Sequence, residues 1–405
     1  MPAVRDIVVI GGGLVGICAA LILQHPLRRV TVLEASDSRK AQATGLNARS
    51  IALSTSSVQI FKALGLWSSI AALATPIQHI HISSRGRWGV TRLEAADYRL
   101  DALGYVIESQ ALERCLWEAV EASTDIECQT GAEFETIQQQ ETVTIGFRRQ
   151  GRKRKLQSRL ALIADGAQSR ARTALGIGHE TLDFAQSVVI CNVEFDQPRP
   201  HTAYERFTDQ GPLAMLPLGG NRYACVWTRH PDTARATMLQ DDAEFIEALQ
   251  ACFGFRLGYI ERVGERFSFP IQRTRADSLQ QQRCFVIGNA ANSLHPVAGQ
   301  SFNLSLRDVA CLYELLVEVS LSTTADEQLA TIAGDYERLR ASEQRAVIRF
   351  GDGLVNLFSN DLPIFNHARA AGLSLLDLLP PFKRQVAFAG MGMSFAGNRL
   401  LRGHL

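Results

Sequence analysis

The sequence predicts a mixed α/β fold in which a parallel sheet opens the chain, an inserted, mainly antiparallel sheet interrupts it, and a helical region closes it. Three observations predict this. Residues 6–10 (DIVVI) and 29–34 (RVTVLE) are apolar strands on either side of a glycine turn and a helix over 14–24, which is a βαβ unit. Residues 185–270 change to short alternating strands (SVVICNVEF, AYERFT, LAMLPL, RYACVWT) with one helix at 241–253. The apolar strand CFVIGNAA, from residue 284, then restores the α/β pattern ahead of a helix over 303–319.

The remaining elements follow in order. SSVQIFKALGLW has helical spacing, and residues 77–83 (IQHIHIS) alternate as a half-exposed strand leaving the first sheet. Residues 109–123 form an amphipathic helix, followed by a strand near 126 and a hairpin over 141–149 and 155–164 that returns to the core. Residues 335–405 read as helical, broken at Pro363 and at Pro380-Pro381. A chain of 405 residues exceeds one ordinary core. The expected division is a discontinuous nucleotide-binding unit over 1–76, 107–184 and 271–350, a sheet unit over 77–106 and 185–270, and a helical C-terminal region over 351–405.

Bulk properties exclude several classes. With 42 Lys+Arg against 41 Asp+Glu, nothing global attracts nucleic acid or an anionic membrane. The eight cysteines are scattered without a C-x-x-C pair, which suits a reducing, cytoplasmic setting and small core residues rather than disulfides or zinc. Residues 7–23 carry no charge, but three glycines in their middle and Asp6 before them favour a strand and a buried helix over a signal peptide or membrane span. His79 and His81 share a strand face without a third ligand and are read as surface residues, not a metal site. The run Arg148, Arg149, Arg152, Lys153, Arg154, Lys155 is read as a solvated turn, with lipid headgroups or a partner as the alternative.

The chemistry-bearing motifs are three. Gly11, Gly13 and Gly16 form G-x-G-x-x-G between strand and helix, and Glu34 ends the next strand, 18 residues after Gly16. One glycine makes the tight turn, another lets a pyrophosphate approach the helix N-terminus, and the third permits close strand–helix packing; the acid suits ribose hydroxyls. The second motif is ADGAQSRAR, with Asp165 at a strand end and Ser169 and Arg172 beyond it, and Arg49 lies in ARSIALS. A strand-to-helix turn with an Asx cap accounts for Asp165 equally well. The third is VIGNAANSLHPVAGQSFNLSLRD over 286–308.

Together these motifs resemble the class A FAD-dependent aromatic hydroxylases, whose second motif reads D-G-x-x-S-x-x-R and whose third reads G-D followed by H-P-x-x-G-Q-G-x-N. The resemblance implies a Rossmann-like FAD-binding domain of the para-hydroxybenzoate-hydroxylase type with an inserted substrate sheet. It implies bound FAD held by Gly11, Gly13, Gly16, Glu34, Arg49, Gln110, Asp165, Asn289, Pro296, Gly299, Gln300, Phe302 and Asn303. It also implies NAD(P)H and O2 as co-substrates, with one oxygen atom delivered to an electron-rich phenol from a flavin C4a-hydroperoxide. Asn289 stands where the family usually has an acid; its amide keeps an acceptor for a ribityl hydroxyl and gives up the charge. His295 is read as part of the loop framework, and no general base is assigned.

ARSIALS, HPVAGQSFNLSLRDV and DGLVNLFSNDLP narrow the resemblance to the ubiquinone-biosynthesis polyprenylphenol hydroxylases. HISSRGRWG, DYRLDALGYVIE and YERFTDQGPLAMLP are most similar to the members that oxidise ring position C1 of a 2-polyprenyl-6-methoxyphenol. That implies a hydrophobic polyprenylphenol substrate, partner subunits of a ubiquinone-synthesis complex and a peripheral contact with the inner membrane. The alternatives are a flavin hydroxylase for another ring carbon or another phenol, or a non-catalytic flavoprotein subunit. Tyr204, Phe207, Met215 and Pro217, on the inserted sheet, are the expected lining of the substrate pocket, with core packing as the competing account. Residues 353–379 are apolar enough to pack on the body or to meet a membrane or sister subunit.

Overall fold

The computed structural model describes residues 4–25, 28–36, 45–86, 89–293, 300–321, 325–358, 383–384, 387–388, 391–392 and 398–404. The charge-free N-terminal run folds as the strand β1 (Arg5–Ile10) and the helix α1 (Leu14–Leu23). Ile7 to Ile10 and Gly16 to Leu23 are buried, so α1 is apolar all round because it is covered on all sides. After β2 (Val30–Glu34) come β3 (Ser50–Ser54), α2 (Thr55–Ala63), α3 (Trp67–Ala71), β4 (Thr75–Ile77), β5 (His79–Ser84), β6 (Val90–Glu94) and β7 (Gly104–Glu108). Then α4 (Ser109–Ala122) leads to β8 (Ile126–Thr130), β9 (Ala132–Gln139), β10 (Val143–Arg149), β11 (Arg152–Ile163) and α5 (Arg170–Ala174). The second half runs β12 (His179–Phe195), β13 (Thr202–Thr208), β14 (Gly211–Pro217), β15 (Arg222–Arg229), α6 (Pro231–Leu239), α7 (Asp242–Phe253), β16 (Ile260–Val263) and β17 (Phe267–Ala276). It closes with β18 (Gln280–Gln281), β19 (Cys284–Val286), β20 (Asn292–Ser293), α8 (Gln300–Leu316) and α9 (Asp326–Phe358).

Two large sheets result. The first has the order β18-β19-β11-β1-β2-β8, parallel from β19 to β8, with β10 and β9 added antiparallel at β11. The second has the order β20-β17-β12-β15-β14-β13-β5-β6, and β3, β7 and β4 make a small sheet between the two. Strand residues alternate between faces, so the second sheet has two distinct sides. One side packs under α6 and α7, where Val189, Trp227, Phe245 and Phe253 form a closed core. The other side faces the small sheet and the first half of the chain: Ala203 and Ala224 meet Ile77 and Val106, and Asn192 Nδ2 donates to Ala48 O at 2.6 Å.

Several elements differ from the sequence expectation, and three of them show why. β9 was not anticipated, although AEFETIQQ alternates in burial along its first half. α6 was not either; its mixed polar sequence carries little periodicity, and its start signal is the proline at its first position. The antiparallel sheet begins at His179 rather than 185, because the exposed first turns of β12 pair with Arg273 to Ala276 of β17. All eight cysteines are free; Cys18, Cys191, Cys225, Cys252, Cys284 and Cys311 are buried. Of the apolar stretch 353–379, residues 359–379 lie outside the described residues.

Between α8 and α9 lies a cluster of four buried charges. Arg307 Nε donates to Glu343 at 2.5 Å, Arg340 Nε to Asp308 at 2.6 Å, and Arg340 Nη1 also binds Glu343. Gln344 Nε2 adds bonds to both Asp308 oxygens. Burial pushes the Asp308 carboxyl up against the pull of Arg340, whereas the two guanidiniums hold Glu343 below the usual carboxylate range.

Candidate active site

The carboxyl ends of the parallel strands converge on one edge. There Gly11 N–H donates to Leu33 O, Ala164 N–H to Ile10 O and Ile287 N–H to Ile163 O, so the glycine turn, the 165–172 turn and the 288–290 turn lie side by side. Gly11 has φ +104°, and a Cβ there would fall 2.4 Å from Ala164 O. A Cβ on Gly16 would fall 1.9 Å from Gly11 O, which is why the third glycine of the motif is obligatory. Gly13 caps α1 with no side-chain bond, and the space beside its missing Cβ is open. The first-turn amides of α1 thus point into open space with the positive end of the helix dipole, a seat for a pyrophosphate.

Glu34 closes this seat. Its Oε2 accepts from Gly12 N–H at 2.6 Å, and its Oε1 accepts from Ser36 N–H at 2.7 Å and from Ser36 Oγ. Glu113 on α4 is close enough that burial and the Glu34 charge together raise its carboxyl above the ordinary range. Gln110 sits at the start of the same helix, and Ser109 N–H donates to Arg49 O at 2.8 Å, which brings Arg49 and Gln110 together. The Arg49 guanidinium lies over Phe267 (4.7 Å) and Phe269 (5.3 Å) of β17, bridging the two halves of the chain.

The second motif folds as a brace around Asp165, one of the residues expected at the cofactor. Both its carboxylate oxygens are used by the protein: Oδ2 accepts from Ala171 N–H at 3.0 Å and Oδ1 from Ser169 Oγ. Ser169 in turn caps α5 by accepting from Arg172 N–H at 2.9 Å. Arg172, 1% exposed, reaches across to Ala290 O at 2.6 Å. The motif therefore fixes the turn of Gly288–Ala290, which packs against Val15 of α1.

Asn289 is exposed on that turn, and its Oδ1 accepts from Ser301 Oγ at the start of α8 at 3.1 Å. Asn303, also expected at the cofactor, is held by the protein. Only 1% exposed, it accepts from Ser54 N–H (2.8 Å) and Ser57 Oγ (2.7 Å) and donates to Ala52 O (2.9 Å), so its side chain ties α8 to β3 and α2. Phe302 is likewise turned into the main core. His295, Pro296 and Gly299 lie outside the described residues, as does the side chain of Gln300.

Strand register divides the four residues expected to line the substrate pocket. Tyr204 pairs with Met215 and Pro217 with Tyr223, on the side of the sheet that packs under α7; Tyr204 and Met215 belong to that closed core. Phe207 alone of the four is on the opposite side. One residue along from Tyr204, the side that faces the cofactor half carries a cross-strand row: Ile82, Glu205, Ala214, Val226, Ile190 and Phe267. All six are half-buried, unlike their buried neighbours under α7, so the row keeps accessible surface. Five inter-strand steps of about 4.8 Å make it about 24 Å wide. The sequence signal that was available is the single acid inside an apolar alternation, TAYERFT.

Other expectations resolve locally. His79 pairs with Glu94 and His81 packs on Tyr204 at 5.6 Å; among the described residues no His/Cys/Asp/Glu cluster could hold a metal. The basic hairpin tip between β10 and β11 is exposed, Arg148 is paired with Glu135, and the tip lies at the opposite end of β11 from Asp165.

Residues 5–350 match the family described as FAD binding domain. The chain is 30% identical over 403 residues to the ubiquinone hydroxylase UbiL of Rhodospirillum rubrum, covering 99% of this chain and 93% of that protein. It is 28% identical to the 3-demethoxyubiquinol 3-hydroxylase of Escherichia coli, covering 96% and 98%. Its fold is that of p-nitrophenol 4-monooxygenase PnpA from Pseudomonas putida, with a TM-score of 0.78 at 17% identity over 96% of this chain and 99% of that one.

Proposed function

The chain belongs to the FAD binding domain family and is an FAD-dependent aromatic monooxygenase; from that premise we propose that it hydroxylates a polyprenylated phenol in ubiquinone biosynthesis, at ring position C1 of a 2-polyprenyl-6-methoxyphenol. The observation that carries the reading is one cross-strand row on the side facing the cofactor half: across six strands it is apolar but for one carboxylate. The ubiquinone hydroxylases among its relatives, matched over nearly their whole length, support the substrate class. The similarity of HISSRGRWG and YERFTDQGPLAMLP to C1 hydroxylases supports the ring position.

The residues present fit FAD. The first-turn amides of α1 would take the pyrophosphate, Glu34 the ribose, Gln110 and Arg49 the neighbouring cofactor edge, and Asn289 a ribityl hydroxyl. FAD reduced by NAD(P)H supplies the oxygen chemistry when bound. The chain's own residues hold the phenol ring against the wall and exclude water, so that reducing equivalents go into product rather than hydrogen peroxide. Among the described residues no helix is long and apolar enough to cross a membrane.

The test is complementation of a strain lacking the C1 hydroxylase, with quinone intermediates read by mass spectrometry. Restored ubiquinone and loss of the methoxyphenol precursor are expected. Persistence of that precursor would remove the ring assignment.

A further inference from the structure

We propose that Glu205 is the residue that receives the substrate's phenolic proton. Among the described residues its carboxylate has no hydrogen-bond or ion-pair partner, although the residue is half-buried on the side of the sheet facing the cofactor half. Its neighbours across the strands are Ile82 and Ala214, and beyond Ala214 lies Val226, so within this row the carboxylate is the one polar side chain. A carboxylate without a protein partner is costly inside a protein, and a position that keeps one needs a ligand to complete it.

Burial alone pushes Glu205 up to about 7. Other charges on that side are held elsewhere: Arg49 over Phe267 at the far end of the row, Arg222 on Glu108 at 3.0 Å, Arg262 on Glu194 at 3.3 Å, and Arg384 over Phe388, with Tyr98 beside that ring. None contributes to the shift. A base titrating near neutrality is matched to its task, since it is ionised at working pH and still basic enough to accept a proton.

The step is a proton transfer. The phenol O–H bond breaks as a Glu205 Oε–H bond forms, and the oxygen's electron pair moves into the ring, enriching the carbons ortho and para to it. No oxidant or reductant is consumed in this step, and the carboxyl returns the proton to the substrate oxygen once the ring has reacted. The alternation that puts Glu205 here puts Tyr204 under α7, so a neighbour cannot replace it.

This inference rests on the phenol reading above, and the experiment separates the two. Holoprotein with Glu205 and its E205Q and E205D variants are compared in FAD content, NAD(P)H oxidation and hydroxylation of a short-chain 2-prenyl-6-methoxyphenol from pH 5.5 to about 9. The expected result is full FAD content in all three and a rise in hydroxylation through about pH 7 in the parent. E205Q loses that limb and about 100-fold in rate, with hydrogen peroxide formed instead, and E205D restores the limb. An unchanged limb in E205Q overturns the proposal. The second arm binds 4-nitrophenol to oxidised holoprotein without NAD(P)H: beside an anionic Glu205 its ionisation moves to higher pH than in E205Q. If the parent shows that difference but does not hydroxylate the prenylphenol, the substrate reading fails and Glu205 stands; equal ionisation in both proteins overturns the role of Glu205.

Discussion

Replacing Arg172 with methionine tests whether the second motif acts on the cofactor through the 288–290 turn. Arg172 is 1% exposed and donates to Ala290 O at 2.6 Å, with a longer contact to Ala167 O at 3.5 Å. A hydrogen bond from a charged donor contributes about 1.5–3 kcal/mol, and the buried carbonyl left behind adds its own penalty. Part of this is offset, because burial already lowers the Arg172 pKa against the pull of Asp165 and Asp277, and methionine removes that desolvation at similar volume. The net expectation is a loss of about 2 kcal/mol in denaturant unfolding of the apoprotein. The same change frees the turn that carries Asn289, and FAD affinity should fall about tenfold, roughly 1.4 kcal/mol. Flavin fluorescence titration measures it. Ser169→Ala is the control, since it removes the α5 cap but leaves the reach of Arg172 intact; it should cost about 1 kcal/mol of stability with FAD affinity within about twofold of the parent. If Arg172→Met destabilises the chain yet binds FAD as the parent does, the brace is only a core contact and the reasoning fails.

Asn289→Asp keeps the acceptor for Ser301 and should bind FAD within about tenfold of the parent, whereas Asn289→Leu should lose most of the affinity; equal retention in the same titration means the side chain never meets the cofactor. Glu343→Leu strands Arg307 and leaves Arg340 with Asp308 alone, and should cost about 3–5 kcal/mol in unfolding, so a loss below about 1 kcal/mol would show the α8–α9 cluster to be solvated. Glu205 also makes stability pH-dependent. Its folded pKa, about 7, lies above the ordinary 4.5, so its contribution is fully present below 4.5 and is lost as pH rises through 7. Between pH 5 and 8 the parent should therefore lose up to about 3 kcal/mol relative to E205Q, measured by denaturant unfolding at both pH values. A pH-independent difference would place Glu205 in water.

The cofactor half was legible in the sequence because its determinants are local. Gly11 and Gly16 are required by contacts within one strand–turn–helix unit, and Glu34 ends the next strand of that unit, where it accepts from Gly12. Asp165 and Asn303 were identified as motif positions; that one braces Ser169 and the first turn of α5 and the other ties α8 to β3 is revealed only by the folded neighbours.

The substrate side divides most sharply. The sequence by itself determined that β13 to β15 are strands with alternating faces, and that they sit within a chain of the FAD binding domain family. It could not say which face is turned to the cofactor, because period-2 alternation yields two equivalent sets of side chains. The tertiary structure decided this by packing α7 over Tyr204 and Met215, which leaves Ile82, Glu205 and Ala214 on the side facing the cofactor half. The chemistry of Glu205 is decided at the same level, since its raised pKa comes from burial by residues distant in the chain.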